Sequence, residues 1–262
     1  MNTGAAPSPA PAAPELRAGP GWRAVECISD LHLQASHPAT FAAWRRYMEA
    51  LGADALFILG DLFEAWVGDD AAEVAGFERD CAEVLRATAR RLPVFFLAGN
   101  RDFLVGAGFA RATGLTLLAD PTVLAFGPRR WLLTHGDALC LADTDYLAFR
   151  AQVRDAAWQR AFLAQPLARR QEIARGMRAE SEHLKQSGRD YADVDTAAAL
   201  AWLAAARAEV MVHGHTHKPA EHALDAGHRR IVLSDWDAEG TPPRLEALRL
   251  HADGRSQRVA LA

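Results

Sequence analysis

Five times along this 262-residue chain a short apolar run gives way to a turn carrying Asp, Asn or His, and any fold must accommodate all five. Arg23 to Ile28 leads into Ser29-Asp30-Leu31-His32, and Ala55 to Leu59 into Gly60-Asp61-Leu62-Phe63-Glu64. Pro93 to Leu97 precedes Gly99-Asn100-Arg101-Asp102, Trp131 to Thr134 precedes His135-Gly136-Asp137, and Glu209 to His213 precedes Gly214-His215-Thr216-His217. Runs this short, apolar at consecutive positions, suit strands buried on both faces of an internal sheet. In open α/β sheets polar ligands gather beyond the carboxyl ends of the strands, so the five turns are expected to meet at one edge.

Helical patterns alternate with these runs over Pro38 to Leu51, Asp70 to Arg91, Phe103 to Thr113 (closed by Gly114) and Tyr191 to Arg207. Val74, Phe77, Cys81, Val84 and Leu85 mark the inner face of the second. Val123 to Phe126 and Trp131 to Thr134 flank the turn Gly127-Pro128-Arg129-Arg130 as a hairpin, and three β-like runs follow near Glu221 to Leu224, Arg230 to Ser234 and Arg244 to Leu250. Strand–helix alternation with a strand-rich end predicts an α/β layered fold in which two sheets share one core.

Half of the residues are apolar, enough for one sizeable core, and 21–262 reads as a single catalytic domain. Residues 1–20, rich in Ala and Pro, read as a disordered tail and lack the basic start and apolar core of a signal peptide. No run reaches the ~18 apolar residues that span a bilayer. A net charge of -4 gives no electrostatic reason to expect nucleic acid. Three scattered cysteines, Cys27, Cys81 and Cys140, suit reduced, buried thiols in a cytoplasmic protein.

The stretch 144–189 departs from the pattern. Trp158, Phe162, Leu163, Leu167, Ile173 and Met177 follow a helical pattern broken at Pro166, and nine Lys or Arg oppose five Asp or Glu in a chain of net negative charge. Composition alone allows a solvated helical hairpin. Its place between two metal motifs favours a lid over the site they form.

Asp30 and His32, two apart on an extended segment, share a face and can ligate one metal. Asp61 is the natural bridge between two cations, since a carboxylate has two oxygens and a neutral imidazole cannot span. Asn100 adds a neutral oxygen, with Gly99 letting the backbone come close, and His135, His215 and His217 add nitrogens. Mixed N/O ligation without thiolate suits Mn²⁺, Fe²⁺ or Zn²⁺, and two such ions roughly 3.5–4 Å apart can activate water for in-line displacement at phosphorus. Arg101 is placed to grip a phosphate oxygen through its planar fork, or to pair with an acid. Asp70 and Asp102 are expected to cap helices, Glu64 and Asp137 to orient metal-bound histidines, and His213 to lie in the core or behind the ligands.

Over roughly Val25 to Leu233 the five motifs resemble those of the calcineurin-like metallophosphoesterases, with Arg101 where that superfamily usually has His. Gly99-Asn100-Arg101-Asp102, Ser29-Asp30-Leu31-His32-Leu33 and His135-Gly136-Asp137-x-Leu139-Cys140 resemble the UDP-2,3-diacylglucosamine pyrophosphatase family of lipid A biosynthesis, which also has a helical insertion after its His-Gly-Asp motif. The resemblance implies two mixed β-sheets flanked by helices, two divalent ions, most often Mn²⁺, and hydrolysis to UMP and 2,3-diacylglucosamine 1-phosphate. It implies one ion on Asp30, His32, Asp61 and His217 and the other on Asp61, Asn100, His135 and His215. Substrate contacts carried over are Asn100, Arg101, Asp143, Ser181, Lys185 and His215, with Asp61, Asn100, Arg101 and His135 as catalytic residues. It further implies a cytoplasmic enzyme attached peripherally to the inner face of the inner membrane, without an obligate protein partner. A different dinuclear phosphoesterase, acting on nucleotides or phosphoproteins, needs the same metals, and a scaffold that has lost catalysis has no reason to keep every ligand.

Overall fold

A computed structural model describes residues 10–186 and 192–261, with side chains omitted over 179–186. In chain order the elements are β1 (Glu15–Arg17), β2 (Ala24–Ile28), α1 (Pro38–Ala50), β3 (Ala55–Leu59), α2 (Phe77–Ala89), β4 (Val94–Leu97) and α3 (Ala107–Thr113). Then come β5 (Thr116–Leu118), β6 (Thr122–Phe126), β7 (Arg129–Leu133), α4 (Thr144–Val153), α5 (Ala156–Leu163), α6 (Leu167–Gln186) and α7 (Thr196–Ala206). The chain closes with β8 (Val210–His213), β9 (Ala220–Ala223), β10 (Arg229–Val232), β11 (Glu246–His251) and β12 (Ser256–Ala260).

Two six-stranded mixed sheets result, ordered β1-β6-β7-β8-β10-β9 and β12-β11-β2-β3-β4-β5. Why β3 is apolar at every position follows from its two faces: Ala55, Phe57 and Leu59 point into the core between the sheets, Leu56 and Ile58 into the core beneath the α1–α3 helices. A strand apolar on one face only would leave the other core open, and each such large side chain contributes about 1.5–3 kcal/mol on burial. On the other sheet Trp131 and Leu133 face inward while Leu132 and Met211 meet Ala199 and Leu203 of α7, giving four layers, helix–sheet–sheet–helix. The expected two sheets sharing a core are present.

β2, β3 and β4 run parallel to one another, as do β7, β8 and β10 in the facing sheet. Their carboxyl ends therefore carry the five turns to the same side, which is what positions the site.

Local reading departs from the structure in several places. Glu15–Arg17, assigned to a disordered tail, forms an edge strand parallel to β6, with Leu16 packed on the inter-sheet core and Glu15 paired with Arg130. One inward apolar residue between two charged ones is enough for an edge strand. The helix expected from Asp70 to Arg91 is divided: Asp69–Ala72 forms a short 3₁₀ turn, whose Asp69 accepts the N–H groups of Gly106 and Phe109, and the α-helix starts only at Phe77, after Gly76 at positive φ. Val74 is accordingly exposed. The helix expected from Tyr191 starts at Thr196, where Asp195 caps it by accepting from Ala198 N at 2.8 Å. β5 and β12 carried no recognised signal.

The insertion folds as α4, α5 and α6, with the break expected at Pro166. Its arginines are spent largely on the body of the protein. Arg150 donates to Asp137 (2.8 Å), Arg154 to Gly99 O (2.9 Å), and Arg170 to Asp70 and Val67 O, while Arg178 pairs with Glu64 (2.9 Å). Among the described residues no helix is long and apolar enough to cross a membrane.

Candidate metal centre

All seven ligand-type residues converge. His32 Nε2 and His217 Nε2 face each other at 3.2 Å, and His217 Nε2 stands 3.5 Å from Asp30 Oδ1. Asn100 Oδ1 lies 2.9 Å from both His135 Nε2 and His215 Nδ1. Between these groups sits Asp61, with Oδ2 at 3.9 Å from His32 Nε2 and Oδ1 at 3.6 Å from His135 Nε2. Ligand atoms of Asp30, His32 and His217, and of Asp30, Asp61 and His135, each fall within 4.8 Å of one another.

Backbone geometry sets these residues apart from their neighbours. Of the six non-glycine residues with positive φ among the described residues, five are Asp30 (55°), His32 (49°), Asp61 (51°), His215 (68°) and His217 (52°). Such conformations cost of order 1–3 kcal/mol each and persist where surrounding contacts over-determine them, most often at functional sites. The contacts are visible: the backbone N–H of His215 donates to Asp30, that of His32 to Asp61 O, and that of Arg101 to Asp61 Oδ1. Gly99 and Gly214 leave no room for a side chain, since a Cβ would lie 2.1 Å from Asp61 Oδ1 and 2.2 Å from Asp30 Oδ2 respectively.

The donor set fits divalent cations on the behaviour of the ring nitrogens. His135 Nδ1 is 2.9 Å from Leu59 O and His32 Nδ1 2.9 Å from Glu64 Oε2, so in the neutral rings both Nε2 lone pairs aim at the shared space. His217 Nδ1 faces Asp235 at 3.7 Å, and Arg244 holds Asp235. Burial pushes Asp30 up, but His217, His135 and His32 outweigh it and hold its carboxyl below the usual range. Burial lowers His135, yet Asp61, Asp30 and Asp137 outweigh it and raise the ring to about 9. Burial and then His135 bring His215 down to about 4. The buried carboxylates beside these rings set up a negative potential that a divalent cation would neutralise.

Other sequence expectations fare differently. Glu64 does contact His32, and its pKa falls to about 2 because His32, Arg101 and Arg178 outweigh the effect of burial. Arg101 faces Glu64 at 3.7 Å and not Asp102. Asp102, expected to cap a helix, is fully buried and accepts the N–H groups of Gly99 (2.8 Å), Leu62 (2.8 Å) and Asp61 (3.3 Å), stapling two ligand turns together. Burial and the nearby Asp61 raise it to about 7. Asp137 meets no histidine ring; it accepts from Tyr146 Oη (2.6 Å) and Arg150. Asp70, also expected to cap, pairs with Arg170. Asp143 caps α4 by accepting from Tyr146 N, and the Tyr146 ring stacks 5.8 Å from His215. Ser181 and Lys185 lie on α6 with side chains outside the described residues. His213 is buried behind the ligands, beside Arg230 at 3.2 Å. Sequence reasoning missed Tyr146, Arg154, Arg178 and Asp235, which act across long chain separations that leave no local pattern.

A cleft of about 440 Å³ opens beside His32 and His217, lined also by Glu64, Arg101, Arg178 and Trp236. The calcineurin-like phosphoesterase family model matches residues 25–219. A "UDP-2,3-diacylglucosamine hydrolase" of Xanthomonas campestris pv. campestris is 45% identical over 242 residues, covering 87% of this chain and 95% of that protein. Proteins of the same name from Xanthomonas axonopodis pv. citri (45% over 243 residues, 87% and 96% covered) and Stenotrophomonas maltophilia (44% over 234 residues, 84% and 94%) are similarly related. With the five motifs gathered at the carboxyl ends of strands from both sheets and the family match running from the first of them to the last, the chain belongs to the calcineurin-like phosphoesterases, hydrolases that work with divalent metals.

Proposed function

We propose that the chain hydrolyses the diphosphate of UDP-2,3-diacylglucosamine, with water adding at the α-phosphorus to give UMP and 2,3-diacylglucosamine 1-phosphate. The observation that carries this is the place of Asp61, whose two oxygens face histidines of two separate donor groups. The substrate is supported by relatives of that name that align over nearly their full length.

Asp30, His32, Asp61 and His217 would hold one cation and Asp61, Asn100, His135 and His215 the other, with Mn²⁺ among the ions suited to this mixed N/O set. When bound, the pair supplies Lewis acidity and makes water reactive near neutral pH. The chain's own residues supply position and charge. Arg101, tied to Asp61 through its backbone, has Glu64 at 3.7 Å, a partner it can exchange for a phosphate oxygen. Asp143, Ser181 and Lys185 remain proposed substrate contacts. Attack at the α-phosphorus expels the sugar 1-phosphate through a phosphate oxygen of low basicity, so no side chain is required to protonate an alkoxide. The exposed Phe149, Leu163 and Met177 would give the insertion an apolar surface for acyl chains, in a cytoplasmic enzyme resting on the inner face of the inner membrane, while Phe162 is buried in the core with Trp158 stacked on it at 5.1 Å.

The test is hydrolysis of UDP-2,3-diacylglucosamine in ¹⁸O-water with Mn²⁺. Label in UMP is expected. Label in the sugar phosphate overturns the site of attack, and absence of turnover overturns the substrate in favour of another phosphodiester.

A further inference from the structure

We propose that Arg154, in the insertion, is a positioning residue for the metal centre: its guanidinium holds the carbonyl of Gly99 and so fixes where Asn100 and Asp61 stand. Arg154 ends α4, and its Nη2 donates to Gly99 O at 2.9 Å and approaches Ala98 O at 3.4 Å. Its guanidinium also lies 5.7 Å from the centre of the Phe103 ring, which packs on Trp158.

The turn it grips has no slack. Gly99 N donates to Asp102 Oδ1 at 2.8 Å, Arg101 N to Asp61 Oδ1 at 2.8 Å, and Asn100 Oδ1 touches both His135 and His215. A Cβ on Gly99 would stand 2.1 Å from Asp61 Oδ1, so the turn and the carboxylate are already in close contact. With the Gly99 N–H held by a carboxylate, its carbonyl is the one remaining polar group of that residue, and Arg154 takes it. Charge-assisted bonds to a neutral carbonyl are roughly twice as strong as neutral ones. Arg170 offers a contrast: it is buried and tethers the same insertion to Asp70 and Val67 O, without touching a ligand turn.

The consequence for metal affinity rests on the two-cation reading of the site; the positioning itself does not. Arg154→Met and Arg170→Met, made in the full-length chain, are compared in three assays. In protein stripped of metal, Arg154→Met is expected to speed amide exchange at Arg101 about tenfold or more, with Arg170→Met near wild type. In Mn²⁺ titrations Arg154→Met is expected to weaken the weaker site about 10–100-fold, the range seen when partners behind metal ligands are removed. At saturating Mn²⁺ its kcat falls while KM stays within about twofold of wild type, whereas an insertion that has merely come loose raises KM. Wild-type exchange at Arg101 together with a wild-type Mn²⁺ isotherm overturns the proposal, as does an equal effect from Arg170→Met. If the Met variant does not fold, Arg154→Gln, too short to reach Gly99, is judged by the same criteria. Slow exchange lost without any change in Mn²⁺ binding keeps the positioning and refutes the two-cation reading of Asn100.

Discussion

Replacing Gly99 with Ala places a methyl carbon 2.1 Å from Asp61 Oδ1, 2.5 Å from Asp61 N and 2.9 Å from Asp61 Cγ. Real Cβ atoms essentially never come under 3.0 Å, so carboxylate and turn must part by about 0.9 Å. Neither has freedom to do so cheaply. Asp61 Oδ1 accepts Arg101 N at 2.8 Å and stands 3.6 Å from His135 Nε2, and the Asp61 and Gly99 amides share the buried Asp102. Gly99 does not sit at positive φ, so the effect is steric and not conformational. Overpacking of this kind costs about 1–3 kcal/mol of stability, and displacing a reactive constellation by 1 Å costs on the order of 10²-fold in rate. The expected result for Gly99→Ala is a folded protein with kcat lowered roughly 100-fold at saturating Mn²⁺ and visibly weaker metal binding. Gly52→Ala, where a Cβ meets nothing within 4 Å, serves as control. A Gly99→Ala variant with wild-type kcat and Mn²⁺ affinity would refute the claim that this glycine exists to admit Asp61.

In protein stripped of metal, burial depresses the His135 pKa but Asp61, Asp30 and Asp137 outweigh it and raise it to about 9. The ring must shed that proton to bind a cation, so Mn²⁺ affinity at this site is expected to rise about tenfold per pH unit below about 9 and flatten above it, as calorimetry across pH can read; a flat profile from pH 6.5 to 8.5 contradicts this. Glu64→Gln removes the carboxylate 2.9 Å from His32 Nδ1 and is expected to weaken one Mn²⁺ site about 10–100-fold, with an unchanged isotherm as the contrary result. Gly176→Ala, within α6 and with open space around it, should raise stability by about 0.5–1 kcal/mol without altering kcat; a lower melting temperature speaks against α6 being a regular helix there.

Much of the site was legible because each ligand turn follows a strand whose apolar run is itself unmistakable. Ala55–Leu59 reads as an internal strand, and with β2, β3 and β4 parallel in one sheet and β7 and β8 parallel in the other, the ends within each sheet fall together. What stayed hidden are bonds between residues far apart in sequence that have no periodic trace. Arg154 meets Gly99 across 55 residues, and Arg178 meets Glu64 across a longer span. The arginines of the insertion therefore read as charge for anionic ligands, while the fold uses several of them as tethers. Asp102 was misread for a related reason: an Asp before a helix is usually a cap, but here four backbone N–H groups of two turns compete for it and win. The left-handed backbone at Asp30, His32, Asp61, His215 and His217 was only weakly legible, because Asp and His are enriched at positive φ among non-glycine residues yet adopt it in a small minority of cases.

The proposed chemistry requires Asp61 to serve two cations at once. Crystals grown with Mn²⁺ and measured at the manganese absorption edge are expected to show two anomalous peaks, one beside His32 and His217 and one beside His135 and His215, each within ligand distance of a different oxygen of Asp61. A single peak, or two peaks of which only one contacts Asp61, contradicts it.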